Sequence, residues 1–248
     1  MFFSAGPQCK AEDVGLIEGP PDGQAMPDLP FRDRKQAGQL LAKQLRSYAD
    51  HTEVLVLALP RGGVPVAYEI ARALHVPLDV FQVRKLGVPG QEELAMGAIA
   101  SGGVRVINDE VVRALRIALR VIDSVAAREE RELARREQLY REGRPAPDLS
   151  GRTVILVDDG LATGSTVRAA VAALRLRQPK RIVVAVPIAA EPTFAEIRSQ
   201  VDELICLATP EPFYSVGFWY EDFSQTTDAE IRELLKRASK ELSPAHQT

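Results

Sequence analysis

From residue 31 onward, short apolar runs alternate with stretches that are apolar on one side only. Ala37, Leu40, Leu41, Gln44 and Leu45 recur at helical spacing and predict a helix ending near Tyr48. Val54 to Leu59 is a continuous apolar run of strand length, as expected of a parallel strand covered on both faces. Pro60-Arg61-Gly62-Gly63 breaks it, and Pro65 then sits where a first helical turn tolerates proline. Val66, Ala67, Ile70, Ala71 and Leu74 continue as a helix, and Val76 to Val83 reads as a second strand. Residues 86–103 read as a glycine-bearing loop with short strands at Met96–Ala100 and, just beyond it, Val104–Ile107. Asn108 predicts the cap of one long helix to about Glu142, apolar at 112, 115, 119, 122 and 126 and charged further on. Thr153–Val157, Arg181–Pro187 and Glu203–Leu207 read as strands, with helices over Val167–Leu176 and Pro192–Ile197 between them. Thr227-Asp228-Ala229-Glu230 has capping-box spacing in front of a last helix. Strands alternating with helices predict an α/β fold: a mainly parallel twisted sheet flanked by helices.

Residues 1–30 differ from the rest. Five prolines and four glycines make nine of these thirty positions breakers, so this head reads as an irregular extension, with one domain over 31–248. Composition adds limits. The chain has 248 residues, 46% of them hydrophobic, enough for a large core without a disulfide or metal staple. Cys9 and Cys206 are too few for a disulfide framework and fit a reducing, cytoplasmic setting. No apolar run approaches the roughly 18 residues of a spanning helix, so no membrane partner is expected. With 31 basic and 34 acidic side chains the net charge is −3, which gives no bulk attraction to nucleic acid.

In such sheets ligands bind beyond the carboxyl ends of the strands, where this sequence carries unusual loops. Val154 to Val157 runs into two adjacent carboxylates, Asp158 and Asp159, and then a small-residue turn, Gly160 to Thr166, that opens a helix. Free N–H groups at that helix start suit a phosphate, Thr163, Ser165 and Thr166 add hydroxyls, and Gly164 permits close backbone approach. Two carboxylates beside a bare anion would repel it. They make sense as acceptors for sugar hydroxyls facing a divalent cation, so the residues point to a phosphorylated sugar. The bland alternative is a capping turn with two solvated aspartates. The loop is not a Walker A sequence, and no Gly-x-Gly-x-x-Gly occurs.

Val154 to Thr166 closely resembles the phosphoribosyl-pyrophosphate (PRPP) signature of type I phosphoribosyltransferases. The resemblance implies that Asp158 and Asp159 hold the ribose hydroxyls and serve Mg²⁺ directly, through water or through PRPP. It implies that Ala162, Thr163, Gly164, Ser165 and Thr166 cradle the 5′-phosphate. Pro60, Arg61, Gly62 and Gly63 resemble the family's diphosphate loop, with a non-proline cis peptide expected at Pro60–Arg61. Arg84-Lys85-Leu86-Gly87 resembles the opening of the flexible catalytic loop, so Arg84 and Lys85 would meet the diphosphate; two solvated basic residues are the alternative. Phe218, Trp219 and Tyr220 lie in an aromatic stretch similar to the hood, about 208–225, that covers the base in 6-oxopurine enzymes. They would bind the base, or simply pack the hood. Asp158, Asp159, Arg61 and Lys85 are the implied catalytic residues.

Residues 31–248 resemble a bacterial branch of this family that begins Phe-Arg-Asp-Arg, here Phe31-Arg32-Asp33-Arg34, and has a long helix before the signature and an aromatic ending. One position departs: Ala162 stands where 6-oxopurine enzymes carry an aspartate. The hood thus looks 6-oxopurine-like and the Arg-Lys loop adenine-like, and no purine is chosen. The resemblance implies Mg²⁺-dependent transfer of a phosphoribosyl group from PRPP to a nitrogenous acceptor, a nucleobase first, and is compatible with a homodimer. A PRPP- or nucleotide-binding regulator on the same fold is the alternative.

Overall fold

The computed structural model describes residues 27–242; the first 26 residues of the head, Cys9 among them, and the tail with His246 lie outside the described residues. Five parallel strands form the main sheet: β1 (Val54–Ala58), β2 (Leu78–Val80), β6 (Thr153–Val157), β7 (Arg181–Ile188) and β8 (Glu203–Ala208), in the order β2-β1-β6-β7-β8. Alternation along each strand divides its side chains between two cores. Val54, Val56, Ala58, Ile155, Val157, Val183 and Ala185 face one core, shared with α1 (Arg34–Gln44), α2 (Gly63–Leu74) and α7 (Asp228–Glu241). Leu55, Leu57, Val154, Leu156, Ile182 and Val184 face the other, closed by α5 (Ser165–Arg175) and by Ile197 of α6 (Glu191–Arg198). Burial on both faces explains why these strands read as unbroken apolar runs.

The middle of the chain corrects three expectations. Val76–Val83 is not one strand: β2 ends at Val80, and β3 (Val83–Val88) leaves for a second sheet. Residues 86–103 hold the expected strand at Met96–Ala100, but it begins already at Gln91, and the stretch before it is strand too rather than loop. With β4 (Gln91–Ala100) and β5 (Val104–Ile107), β3 forms a three-stranded antiparallel sheet in the order β3-β4-β5. Its hairpin turns at Gly90, whose φ of 79° is a left-handed value that favours glycine. The predicted long helix is two, α3 (Asp109–Ala114) and α4 (Leu119–Arg141), separated by a corner at which Arg116 has φ 51°.

Helix α4 joins the two sheets. Its Ile122, Val125, Ala126 and Leu133 bury Leu86, Val88, Met96 and Ile99 of the antiparallel sheet. Its far end belongs to the main core, where Tyr140 is buried and donates a 2.6 Å hydrogen bond to Asp228 at the start of α7. Burial and the Asp228 carboxylate push that phenol up to about 12. Next to it Arg141, 6% exposed, reaches both oxygens of Asp79 (3.2 and 3.0 Å), Glu137 (3.1 Å) and the carbonyl of Val80 (3.0 Å). Removing one member of such a buried pair strands the other's charge. Arg141→Met is therefore expected to lower stability in urea by about 3–5 kcal/mol, and Asp79→Asn in the same chain to recover about half of that loss. A double variant no better than the single one would assign the effect to packing.

Candidate active site

Two loops leave the carboxyl ends of the adjacent strands β1 and β6. The backbone ties them together before any side chain acts, since Leu59 N–H donates to Val157 O at 2.9 Å. The loop after β1 holds Pro60, exposed Arg61, Gly62 and Gly63, and its Pro60–Arg61 peptide is cis, as the family resemblance implies. Gly62 and Gly63 fit because the second loop presses on them. A Cβ on Gly62 would lie 1.9 Å from Asp159 Oδ2, and one on Gly63 2.6 Å from Val157 O and 3.3 Å from Asp158 Oδ1. Any side chain there would drive the loop off the acidic pair.

Asp158 folds back on its own backbone, accepting the N–H of Asp159 at 2.9 Å. Burial, and then the neighbouring charge of Asp159, push Asp158 well above the ordinary carboxylate range. Burial also raises Asp159, but Arg34 opposes it with Nε and Nη2 at 2.9 and 2.8 Å from Oδ2. Beyond the pair, Leu161 is pinned to the end of β7 through Ile188 O and Ala190 N–H. Thr193, in the first turn of α6, donates to Ala162 O at 2.6 Å. Gly164 has φ 68°, which lets the chain turn into α5. Ala162, Thr163, Ser165 and Thr166 are exposed around this turn, with the Thr163 and Ser165 hydroxyls 2.9 Å apart. The first N–H groups of α5 have no partner within the helix, so the turn presents donors to an anion.

The predicted basic pair divides. Alternation along β3 sends Arg84 toward α4, where its Nε lies 2.6 Å from Glu129 Oε2, and leaves Lys85 exposed on the opposite face. Burial raises the Glu129 carboxyl, yet hydrogen bonds from Arg84 and Arg128 more than offset that and hold it low. Arg84 thus braces the antiparallel sheet against its helix, on the side of β3 away from Lys85. The hood triad divides between the two expectations, packing and base binding. Trp219 is 2% exposed, and Tyr220, also buried, donates its hydroxyl to Asp159 O at 2.7 Å. Neither offers a ring face. Phe218, 38% exposed, does, with the exposed ring of Tyr214 at 4.9 Å. Val216 presses on Gly160, where a Cβ would lie 2.6 Å from its Cγ1, so the hood sits directly on the acidic loop.

Three residues were missed. Arg34 had a signal, the Phe-Arg-Asp-Arg start, but nothing in the sequence connects it to a loop 125 residues away. Val216 lay within the expected hood, about 208–225, but nothing tied it to Gly160, and Thr193 carried no signal. For a metal, the described residues hold no cluster of three or more His, Cys, Asp or Glu. Two carboxylates do suit Mg²⁺, which keeps several waters and takes further oxygens from a substrate phosphate. No helix among the described residues is long and apolar enough to cross a membrane.

A parallel sheet with an acidic pair and a hydroxyl-rich turn at one strand end, and a glycine loop at the next, defines a phosphoribosyltransferase-type site. The sequence profile of the phosphoribosyl transferase domain matches residues 32–213, and the chain belongs to that family, of type I fold. Two Mycobacterium tuberculosis proteins, from strains CDC 1551 and H37Rv, each named "Putative phosphoribosyl transferase", are 46% identical over 215 residues. The alignment covers 87% of this chain and 48% of theirs, so the chain spans about half the length of those relatives. The crystal structure of TT1426 from Thermus thermophilus is 40% identical, with a TM-score of 0.75 over 84% of this chain and 98% of that one.

The raised carboxyl of Asp158 has a sign for stability. The folded state holds its proton more tightly than the unfolded chain, so its contribution is full below the ordinary value of 3.8 and is lost as pH climbs through the raised one. Asp158→Asn is expected to unfold at higher temperature than wild type at neutral pH, with the two curves converging as pH falls toward 4. Equal melting temperatures at pH 7 would show that the ionised pair carries no strain.

Proposed function

We propose that the protein transfers the 5-phosphoribosyl group of PRPP to a nitrogenous acceptor, a nucleobase in the first instance, and releases diphosphate. The observation that supports this reading is the close approach of Asp158 and Asp159 to Gly62 and Gly63, which makes neighbours of the carboxylates read as ribose acceptors and the loop read as a diphosphate cradle. The exposed turn Ala162 to Thr166 takes the 5′-phosphate through backbone N–H groups and the Thr163, Ser165 and Thr166 hydroxyls. Asp158 and Asp159 accept the ribose hydroxyls. Arg61 and the N–H groups of Gly62 and Gly63 hold the diphosphate, and Lys85, on the exposed face of β3, adds charge there. Asp158 and Asp159 are the residues that would hold Mg²⁺, and a bound ion would neutralise charge on the departing diphosphate.

Bond breaking at C1 leaves an oxocarbenium-like sugar, so the protein's task is to fix both partners and stabilise separating charge. No side-chain nucleophile is needed. The ring faces of Phe218 and Tyr214 are the surfaces on which a flat acceptor stacks. Ala162 offers no carboxylate for a ring nitrogen, so recognition of the acceptor falls on this stacking and on backbone groups.

The test is diphosphate release from Mg²⁺-PRPP across a panel of purines, pyrimidines and other amines, alongside PRPP titration. Asp158→Asn/Asp159→Asn is expected to weaken PRPP by at least about 10-fold, since two charge-assisted acceptors are lost. Wild type binding no better than this variant would sink the assignment. Binding without turnover on any acceptor would make the protein a PRPP sensor.

A further inference from the structure

The tetrapeptide Phe31-Arg32-Asp33-Arg34 takes no part in the phosphate, ribose or diphosphate contacts proposed above, yet it is built into the site. Its backbone zips to the hood: Phe31 N–H donates to Trp219 O (2.9 Å), Glu221 N–H to Phe31 O (2.8 Å) and Asp222 N–H to Arg32 O (3.0 Å). The Phe31 ring is fully buried against Tyr220, 5.5 Å between centroids. Asp33 caps α1 by accepting Gln36 N–H at 2.7 Å. Helix α1 cannot drift, because a Cβ on its Gly38 would meet Val66 O of α2 at 2.6 Å. Cap and packing thus fix the first residue of α1, Arg34.

Every donor nitrogen of that guanidinium is used. Nε and Nη2 reach Asp159 Oδ2 at 2.9 and 2.8 Å, and Nη1 reaches the carbonyl of Ser224 at 2.8 Å. Its plane lies 4.0 Å from the Phe223 ring centroid, and the side chain is 11% exposed. Tyr220 adds a second bridge, from hood to Asp159 O. A lysine has three donors but on one nitrogen, so it cannot reproduce the fork that reaches Asp159 with two nitrogens and Ser224 with a third.

We propose that Arg34 is a positioning residue that makes one unit of the hood and the acidic pair. It turns Asp159 toward Gly62 and, through Ser224 and Phe223, fixes the hood over the same loop, so that a change at either is felt at the other. The ligand in this inference rests on the PRPP reading; the coupling itself does not.

The chain contains a single tryptophan, Trp219, which lies in the hood and reports on it by fluorescence. In the ligand-free full chain, Arg34→Gln and Asp159→Asn are each expected to raise quenching of Trp219 by acrylamide, and the double variant to add nothing to the larger single effect. Additive effects, or no effect of Arg34→Gln, would overturn the coupling. With Mg²⁺-PRPP, Arg34→Gln is expected to bind at least about 10-fold more weakly than wild type. Arg34→Lys is expected to bind within about 5-fold of wild type but to lose the Trp219 response to ligand. Arg34→Gln binding as wild type does, with the Trp219 response intact, would also overturn it. Should wild type bind no PRPP, the functional reading fails, and the ligand-free cycle alone decides the role of Arg34.

Discussion

Two carboxylates sit next to each other at the end of β6, and their burial side by side is the constraint around which this end of the molecule is arranged. Asp158 accepts the backbone N–H of Asp159 and is held above its ordinary range by burial. Asp159 has no such retreat. Its side chain goes to Arg34 and the α-carbon of Gly62, and its carbonyl to Tyr220. One residue therefore joins α1, the loop after β1 and the hood, three parts distant in sequence. A buried pair of carboxylates is unfavourable when both are ionised, and the ligand proposed above, with its hydroxyl donors and cation, would relieve it.

The scaffold makes this tolerable because it is stiff where the loops begin. Each central strand is buried on both faces, so a shift at β6 or β1 would move side chains in two cores at once. The phosphate turn is pinned at Leu161 and Ala162 by neighbouring backbone and by Thr193. Beyond these pins Thr163, Ser165 and Thr166 stay exposed. Strain placed on such a base deforms side chains before it deforms backbone.

The fold was legible wherever hydrophobic period and turn chemistry agreed. The main-sheet strands Val54–Ala58, Thr153–Val157, Arg181–Ile188 and Glu203–Ala208 read directly as apolar runs. The antiparallel sheet did not, because β3 and β4 are half-exposed, glycine-bearing and shifted in register at Leu86–Gly87–Val88, which blurs a two-residue period. The signature loop was legible because its chemistry is local, with every group within nine residues. Arg34, Thr193 and Val216 were not, since each acts across a gap of more than thirty residues that only folding closes. The aromatic ending left its two readings open for a related reason. Composition revealed rings but not which faced inward, and Trp219 and Tyr220 proved to be the hood's foundation, leaving Phe218 at its surface.

Helix α4 is held at two anchors in two different cores, Glu129 with Arg84 and Tyr140 with Asp228. They are 140 − 129 = 11 residues apart, about three turns, so both point the same way, in line with Leu133 and Ile122. A single insertion or deletion between them would rotate one anchor by about 100° relative to the other and detach it. The length of this helix is thus quantised: relatives can lengthen or trim it only by steps that restore its phase, however freely its charged outer face changes.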